Sequence, residues 1–245
     1  MALVEIRDVH KSFTRDTQTV EVYTGLTIDF DESSFTALMG PSGSGKSTLL
    51  NLVAGLDKPT AGVVRVAGAE VSAMNATQLA AWRSRNVGFV FQSYNLLPVL
   101  TAEQNVELPL LLTHLGKLER RERAETALRV VGLAARADHR PSELSGGEQQ
   151  RVAIARAIVT DPEIVVADEP TGDLDAKNAV EILSLLRDLA REFGKTVVMV
   201  THDPRGEAFV DEIHHLDKGI LLDSVAGGAA PGPPGQQAGS AGRPA

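Results

Sequence analysis

The chain has 245 residues, contains no cysteine and carries a formal net charge of −8. This length allows one large domain or two small ones, and the lack of cysteine excludes disulfides, iron–sulfur clusters and cysteine-ligated zinc. General nucleic-acid binding usually needs a basic surface, so the acidic balance predicts no nucleic-acid partner.

The composition is that of a globular protein with a substantial core. Hydrophobic residues make up 43% of the chain and charged residues 23%. No apolar run reaches the ~20 residues of a membrane-spanning helix, and the N-terminal segment lacks the apolar centre of a signal peptide. We therefore expect the chain in the cytoplasm, unless a partner holds it elsewhere.

The first forty residues predict short strands. Residues 3–6 and 26–30 have strand character, and residues 20–22 are a candidate to join them. Phe13 lies in a polar stretch, where an exposed ring can stack on an adenine base. An aromatic residue covering a small sheet is the alternative interpretation. Tyr23 is a second candidate for the stacking role.

A glycine-rich loop follows the apolar strand predicted at Phe35–Met39 and precedes a helix predicted over residues 46–54. The loop sequence GPSGSGKS matches the P-loop pattern, whose backbone N–H groups and helix N-terminus hold phosphates. Lys46 is predicted to reach the β- and γ-phosphates, and Ser47 to offer its hydroxyl to Mg²⁺. The candidate nucleotide-binding residues are Gly40, Pro41, Ser42, Gly43, Ser44, Gly45, Lys46, Ser47 and Thr48.

The chain then alternates between strands and helices. A strand is predicted over residues 63–66, a helix over 77–85 and a buried strand at Val87–Phe91. Gln92 follows that strand directly. Its amide oxygen can contact a metal ion or a water molecule, although an ordinary surface amide is equally compatible with the pattern.

The stretch after Gln92 is unusually apolar. Residues 96–100 read LLPVL, and residues 106–112 add further apolar side chains. These side chains can form the core of a helical subdomain, or they can form a surface for a partner. Residues 118–131 have the spacing of an amphipathic helix with charged, solvated faces.

The sequence LSGGEQQR begins a helix predicted to run to about residue 159. Ser145 is a good N-cap residue, which is the simplest interpretation. Gly146 and Gly147 are poor helix formers, so capping alone does not explain them. Their lack of a side chain suits a close approach of the backbone to an anion.

Two further strands end in polar residues. Ile164–Asp168 is apolar up to its final carboxylate, as expected for a parallel strand buried on both faces. Since ligands bind beyond the carboxyl ends of such strands, Asp168 is a candidate Mg²⁺ ligand and Glu169 a candidate general base. A polar turn is the alternative. His202 follows the strand at Thr196–Val200 and is a candidate contact for the γ-phosphate.

The last part of the chain divides into a hairpin and a tail. A tight polar turn is predicted at residues 171–175, followed by a helix at 176–192. Two strands around a turn are predicted further on, at residues 213–216 and 220–223. Residues 225–245 have too little apolar bulk to fold, and we expect them to be disordered.

Together these motifs resemble the ATP-binding-cassette (ABC) ATPase domain over residues 3–223, in the family's order. GPSGSGKS resembles its Walker A loop, LSGGEQQR its signature sequence, IVVADE its Walker B strand and TGDLD its D-loop. Gln92 resembles its Q-loop residue, His202 its switch histidine and Phe13 its adenine-stacking aromatic. The stretches FVFQSYNLLPVLTAEQNVELPL and ADEPTGDLD are most similar to the ATPase subunits of lipoprotein-releasing, macrolide-export and cell-division systems. Asp173 departs from this branch, which often has asparagine there.

The resemblance implies an α/β P-loop NTPase fold over residues 1–224. Its parts are a mixed, mainly parallel sheet core, an N-terminal antiparallel β subdomain and a helical signature subdomain at about 93–159. It also implies ATP and Mg²⁺ as ligands, with Ser47, Gln92 and Asp168 arranging the metal ion. Glu169 would orient or deprotonate the attacking water, and His202 would steady the γ-phosphate.

The resemblance further implies two partners. One is a second copy of the chain, bound head to tail, so that Ser145, Gly146 and Gly147 of one copy complete the site of the other. The other is an integral membrane permease, which this ATPase would energise from the inner face of the cell membrane, for export or lipoprotein release. Two alternatives are a soluble ABC ATPase acting on ribosomes or DNA, and a cell-division-type regulator of cell-wall hydrolysis.

Overall fold

The computed structural model describes residues 1–15 and 18–228, and within them the chain forms ten strands and six α-helices. The strands are β1 (Ala2–Arg15), β2 (Gln18–Asp31), β3 (Phe35–Met39), β4 (Ala61–Val66), β5 (Ala69–Glu70), β6 (Val87–Phe91), β7 (Ile164–Asp168), β8 (Thr196–Val200), β9 (Glu212–Asp217) and β10 (Ile220–Ala226). The helices are α1 (Lys46–Val53), α2 (Ala76–Asn86), α3 (Ala102–Glu107), α4 (Lys117–Val130), α5 (Gly146–Ile158) and α6 (Ala176–Arg191). No helix in the described ranges is both long and apolar enough to cross a membrane.

The strands form two sheets. The first has the order β2-β1-β4-β5 and is antiparallel, and the second has the order β10-β9-β3-β8-β7-β6. In the second sheet β9, β3, β8, β7 and β6 are parallel, while β10 pairs antiparallel with β9. Helices α3, α4 and α5 lie between β6 and β7 in the chain. The expected fold class, with its parallel core, antiparallel N-terminal sheet and helical segment, is confirmed.

The register of the parallel sheet brings the strand ends to one edge. Asp168 at the end of β7 lies opposite Phe91 on one side and Val200 on the other, and Leu38 of β3 also pairs with Val200. The loops that follow β3, β6, β7 and β8 therefore leave the sheet side by side. Ligands of such sheets bind at this carboxyl edge.

The apolar run of β3 is buried on both faces. Phe35, Ala37 and Met39 point into a cluster formed with the helical segment and α6. Leu38 points to the opposite side, into a cluster formed with α1 and the antiparallel sheet. Because both faces are covered, the strand is continuously hydrophobic rather than alternating, and the loop at its end is held by two packed layers.

The N-terminal hairpin is longer than the sequence pattern predicts. Strands were expected at residues 3–6 and 26–30, but β1 and β2 pair along almost their whole length, out to Arg15 and Gln18. The outer half of this ribbon is mostly exposed on both faces, so its sequence lacks the apolar alternation that marks a half-buried strand.

The C-terminal hairpin is also longer than expected. Strand β10 continues to Ala226, so the predicted start of a disordered tail at residue 225 is wrong by two residues. Pairing with β9 orders Val225 and Ala226 despite their weak local signal. Most of the predicted tail, residues 229–245, lies outside the described residues.

Candidate active site

A cavity of about 600 Å³ opens at the carboxyl edge of the parallel sheet. It is lined by residues 40–48, the whole glycine-rich loop and the start of α1, together with Glu169 and His202. Val22 and Val200 complete the lining. The structure thus brings three separately predicted groups of residues to one place, from the ends of β3, β7 and β8.

The loop is built to present backbone N–H groups. Gly45 precedes α1 with a φ of 105°, in the left-handed region that favours glycine. Helix α1 has no side-chain cap and no acidic residue in its first turn. Its first N–H groups and the positive end of its dipole are therefore available to an anion.

Lys46 folds back onto the loop that precedes it. Its Nζ donates hydrogen bonds to the carbonyl oxygens of Gly40, at 2.8 Å, and Pro41, at 2.9 Å. The side chain is buried, so its charge stays inside the cradle rather than in solvent. The ammonium group is thereby placed where a phosphate oxygen would compete for its protons.

Ser47 and Asp168 meet at the base of the cavity. The Ser47 hydroxyl donates a hydrogen bond to Oδ1 of Asp168 at 3.3 Å. Burial raises the pKa of Asp168, and the neighbouring Glu169 carboxylate adds to the rise, while the Ser47 hydrogen bond and the Lys46 charge oppose it. A nearby cation would therefore stabilise the ionised form of Asp168.

This pair of oxygen donors fits Mg²⁺. The ion prefers hard oxygen ligands and is usually held by one or two carboxylates together with substrate phosphates. Among the described residues, no group of three or more histidine, cysteine or carboxylate side chains could hold a metal ion by itself. A site of this kind would bind Mg²⁺ with the nucleotide rather than alone.

Glu169 and His202 form a close pair across the cavity. Nδ1 of His202 lies 2.6 Å from Oε2 of Glu169, and since a carboxylate only accepts hydrogen bonds, Nδ1 is the donor. The Glu169 backbone has a φ of 50°, a strained conformation for this residue type that is typical of functional sites. Its N–H bonds the carbonyl of Val200 at 2.9 Å, which ties the ends of β7 and β8 together.

Gln92 is turned away from the cavity in this structure. Its Nε2 donates to Oδ1 of Asp173 at 3.0 Å, and it is not among the residues that line the cavity. Its side chain also packs against Gly172. The predicted contact of Gln92 with a metal ion would therefore require its amide to leave Asp173.

Ser145, Gly146 and Gly147 do not line the cavity either. Ser145 is an N-cap, as the simplest interpretation predicted, and forms a reciprocal capping box with Glu148. Gly147 is required for packing, because a Cβ there would collide with the side-chain amide of Asn178. Ser145 is exposed, so its hydroxyl remains accessible at the end of α5.

Gln150, which sequence reasoning overlooked, links the separate parts of the site. It is completely buried in α5, and its Nε2 donates to the carbonyls of Pro170, at 2.7 Å, and Phe91, at 3.3 Å. These carbonyls directly follow Glu169 and directly precede Gln92. The signals available in the sequence were its place in LSGGEQQR and a glutamine on an otherwise apolar face of the predicted helix.

The two aromatic candidates have different environments. Phe13 is half exposed on the β1–β2 ribbon, with Nζ of Lys11 4.6 Å from its ring centroid, and does not line the cavity. Tyr23 is only 2% exposed, so the interpretation of Tyr23 as a stacking residue is wrong. Its side chain lies on the buried face of β2, where its hydroxyl donates a hydrogen bond to the carbonyl of Gly45 in the glycine-rich loop.

Comparison with known families agrees with this geometry. A family model described as "ABC transporter" matches residues 23–172. An uncharacterized ABC transporter ATP-binding protein of Bacillus subtilis, YknY, is 44% identical over 225 residues, which cover 92% of this chain and 97% of that protein. The macrolide export ATP-binding/permease protein MacB of Marinobacter nauticus is 48% identical over 202 residues, but these cover 82% of this chain and only 31% of MacB.

Solved structures show the same architecture. The dimeric structure of MJ0796, described as a bacterial ABC transporter cassette, matches with a TM-score of 0.83 and 41% identity, covering 91% of this chain and 98% of that one. A dimeric post-hydrolysis state of MJ0796 bound to ADP and Pi matches with a TM-score of 0.82 at the same identity and coverage.

Proposed function

The chain belongs to the ABC transporter family of ATP-binding, ATP-hydrolysing domains, and from this premise we propose that it energises a separate membrane permease through ATP-dependent dimerisation. The observation that carries the catalytic part of the proposal is the cavity in which the glycine-rich loop, Glu169 and His202 meet. The chain would work in the cytoplasm, peripheral to the inner face of the cell membrane and held there by the permease.

The polar groups of the cavity have distinct roles in the proposed reaction. The N–H groups of the loop and the Lys46 ammonium bind the β- and γ-phosphates of ATP. The Ser47 hydroxyl and the Asp168 carboxylate would hold Mg²⁺, which would supply positive charge to offset part of the phosphate charge. Glu169 accepts a proton from the attacking water. The water oxygen bonds to the γ-phosphorus while the bond between this phosphorus and the leaving ADP oxygen breaks. His202 steadies the γ-phosphate.

A second copy of the chain would complete each site. Ser145, at the start of α5, is exposed and lies outside the cavity, so its hydroxyl is available to a nucleotide on another molecule. Charge-assisted hydrogen bonds of this kind contribute roughly 1.5–3 kcal/mol each. Several of them, formed only with the γ-phosphate present, would couple dimerisation to ATP and release to its hydrolysis. The dimeric structures of MJ0796 support this arrangement.

An exposed apolar surface supports the permease partner. Leu97 is 46% exposed and Val99 is 74% exposed, while Leu96 packs against the core. The stretch therefore contributes to the core and also leaves apolar side chains available to a partner. Asn95, two residues before Leu97, also lines a groove of about 480 Å³ between α2 and the helical segment. Its apolar lining includes Leu56, Phe89, Phe91, Pro109 and Leu112.

Buried Asn105 holds this surface in one shape. Its Oδ1 accepts from the N–H of Leu97 at 2.7 Å, and its Nδ2 donates to the carbonyls of Leu97 and Thr101. A surface loop fixed in this way loses little conformational entropy on binding, which favours association. The matching MacB protein is named as both ATP-binding protein and permease, which supports a permease as the occupant.

Replacing Leu97 by aspartate should separate the chain from its permease without unfolding it. Placing an unpaired carboxylate in an apolar contact costs more than the ~1.4 kcal/mol of one decade in affinity, so capture should fall at least ~tenfold. The measurement is affinity purification of the tagged chain from detergent-solubilised host membranes, with the co-purifying proteins quantified by mass spectrometry. A polytopic membrane protein should accompany the unsubstituted chain in near-stoichiometric amount.

Leu222→Asp provides the matched control, because Leu222 is 64% exposed on β10, outside the apolar stretch that contains Leu97. This variant should retain the membrane protein, and thermal melting should show both variants folded. Retention by Leu97→Asp would contradict the proposed docking surface. Recovery of ribosomal proteins or DNA, instead of a membrane protein, would favour a soluble ABC ATPase.

A further inference from the structure

Two carbonyl groups of the glycine-rich loop are held from behind, on the side away from the cavity. The Tyr23 hydroxyl donates to the carbonyl of Gly45 at 2.6 Å, and the N–H of Gly219, in the turn between β9 and β10, donates to the carbonyl of Ser44 at 3.0 Å. These are consecutive peptide units. They carry the N–H groups of Gly45 and Lys46, and both residues line the cavity.

Holding a carbonyl fixes the N–H of the next residue. A trans peptide is planar, and its C=O and N–H point in opposite directions. A donor that holds the Gly45 carbonyl pointing away from the cavity therefore holds the Lys46 N–H pointing towards it. Gly219 acts in the same way on the N–H of Gly45.

The peptide that Tyr23 bonds follows a glycine. Gly45 has a φ of 105°, and a Cβ at this position would lie 2.7 Å from the Tyr23 hydroxyl oxygen. Glycine is thus required here, yet glycine alone leaves the backbone free to rotate. In the folded protein the Leu49 N–H of α1 donates to the Gly45 carbonyl at 3.0 Å, and the Tyr23 hydroxyl adds a second, shorter hydrogen bond that restricts this freedom further.

Tyr23 is well placed to keep this role. Its ring is buried in the cluster that includes Leu49 of α1, and Tyr23 pairs with Lys11 across the β1–β2 ribbon. Burial raises the pKa of the Tyr23 hydroxyl, so the group remains a protonated donor over the physiological range. The Tyr23 side chain thereby connects the antiparallel sheet to the glycine-rich loop.

We propose that Tyr23 is a positioning residue for nucleotide binding, acting through the Gly45 peptide to aim the Lys46 N–H at the phosphates. The inference rests on the binding of nucleotide phosphates in this loop. It assigns to the N-terminal sheet a role in phosphate binding, in addition to any contact that Phe13 makes with the base.

Tyr23→Phe tests this role, because it keeps the ring and removes only the hydroxyl. Because one such hydrogen bond has a modest net effect, we expect the dissociation constant for MgADP to be about three- to tenfold higher than for the unsubstituted chain. Isothermal titration calorimetry on the purified full chain measures it. The KM for ATP should rise by a similar factor, while kcat stays within about twofold. A side chain that only supported the fold would lower the melting temperature and leave both constants unchanged.

Tyr94→Phe is the matched control, since Tyr94 is the only other tyrosine and lies outside the cavity. It should bind MgADP with unaltered affinity. Unchanged MgADP affinity in folded Tyr23→Phe would overturn the inference while leaving the nucleotide site intact. Failure of the unsubstituted chain to bind MgADP would instead contradict the assignment of the site itself.

Discussion

Glu169→Gln should bind ATP as tightly as the unsubstituted chain and hydrolyse it about 10²–10⁴-fold more slowly, the usual scale for loss of a general base. The amide has nearly the same shape but cannot accept a proton from the attacking water. The carboxylate is positioned for this task by three features. These are the strained backbone of Glu169, its N–H bond to Val200 and the contact with His202.

Phosphate release under saturating MgATP measures the effect, and equilibrium titration with ATP measures binding. Glu163→Gln is the matched control, because Glu163 is exposed just before the opposite end of the same strand, β7. The control should hydrolyse ATP at the normal rate. Near-normal turnover by Glu169→Gln would show that a group other than Glu169 accepts the proton of the attacking water.

Lys46→Ala should weaken nucleotide binding by roughly ten- to a hundredfold, because a charge-assisted hydrogen bond contributes about 1.5–3 kcal/mol and each 1.4 kcal/mol is one decade. The ammonium group is already inside the cradle, bonded to the carbonyls of Gly40 and Pro41. Phosphate oxygens carry far more negative charge than these carbonyls, so the ammonium group should exchange its hydrogen bonds to the carbonyls for hydrogen bonds to phosphate oxygens when the nucleotide binds.

Calorimetric titration with MgADP tests this prediction without interference from turnover. Lys117→Ala removes the same charge from an exposed position at the start of α4, and its affinity should be unchanged. Equal affinities for the two variants would rule out a phosphate contact for Lys46.

The central strands could be predicted almost to the residue. Strands β3, β6, β7 and β8 are continuous apolar runs that end abruptly in glycine or polar residues, which is a strong local signal. The outer β1–β2 ribbon could not be predicted, because its order comes from cross-strand pairing such as Phe13 with Val20. Leu118 illustrates the opposite failure, since it is an apolar residue of the predicted amphipathic helix at 118–131 but is 72% exposed in the first turn of α4.

The candidate site was predictable where one chain segment carries the chemistry. The glycine-rich loop, Glu169 and His202 come together because parallel strands end at one edge. The sequence does not predict which residues an individual side chain contacts within the fold. Gln92 bonds Asp173, and Gly147 is needed for contact with Asn178 rather than only for an anion. Such contacts depend on how α5 and α6 pack, which leaves no local pattern.

The measurement that tests the central claim most directly is the molar mass of Glu169→Gln in solution, by light scattering during size-exclusion chromatography, with MgATP and with MgADP. With ATP the variant should have twice the 26.0 kDa mass of one chain, and with ADP it should be monomeric. Adding Ser145→Arg should abolish the ATP-dependent dimer while MgATP binding to the monomer persists. A monomer with both nucleotides would contradict a site completed by a second copy of the chain. A dimer that forms with either nucleotide and persists in the Ser145→Arg variant would contradict it as well.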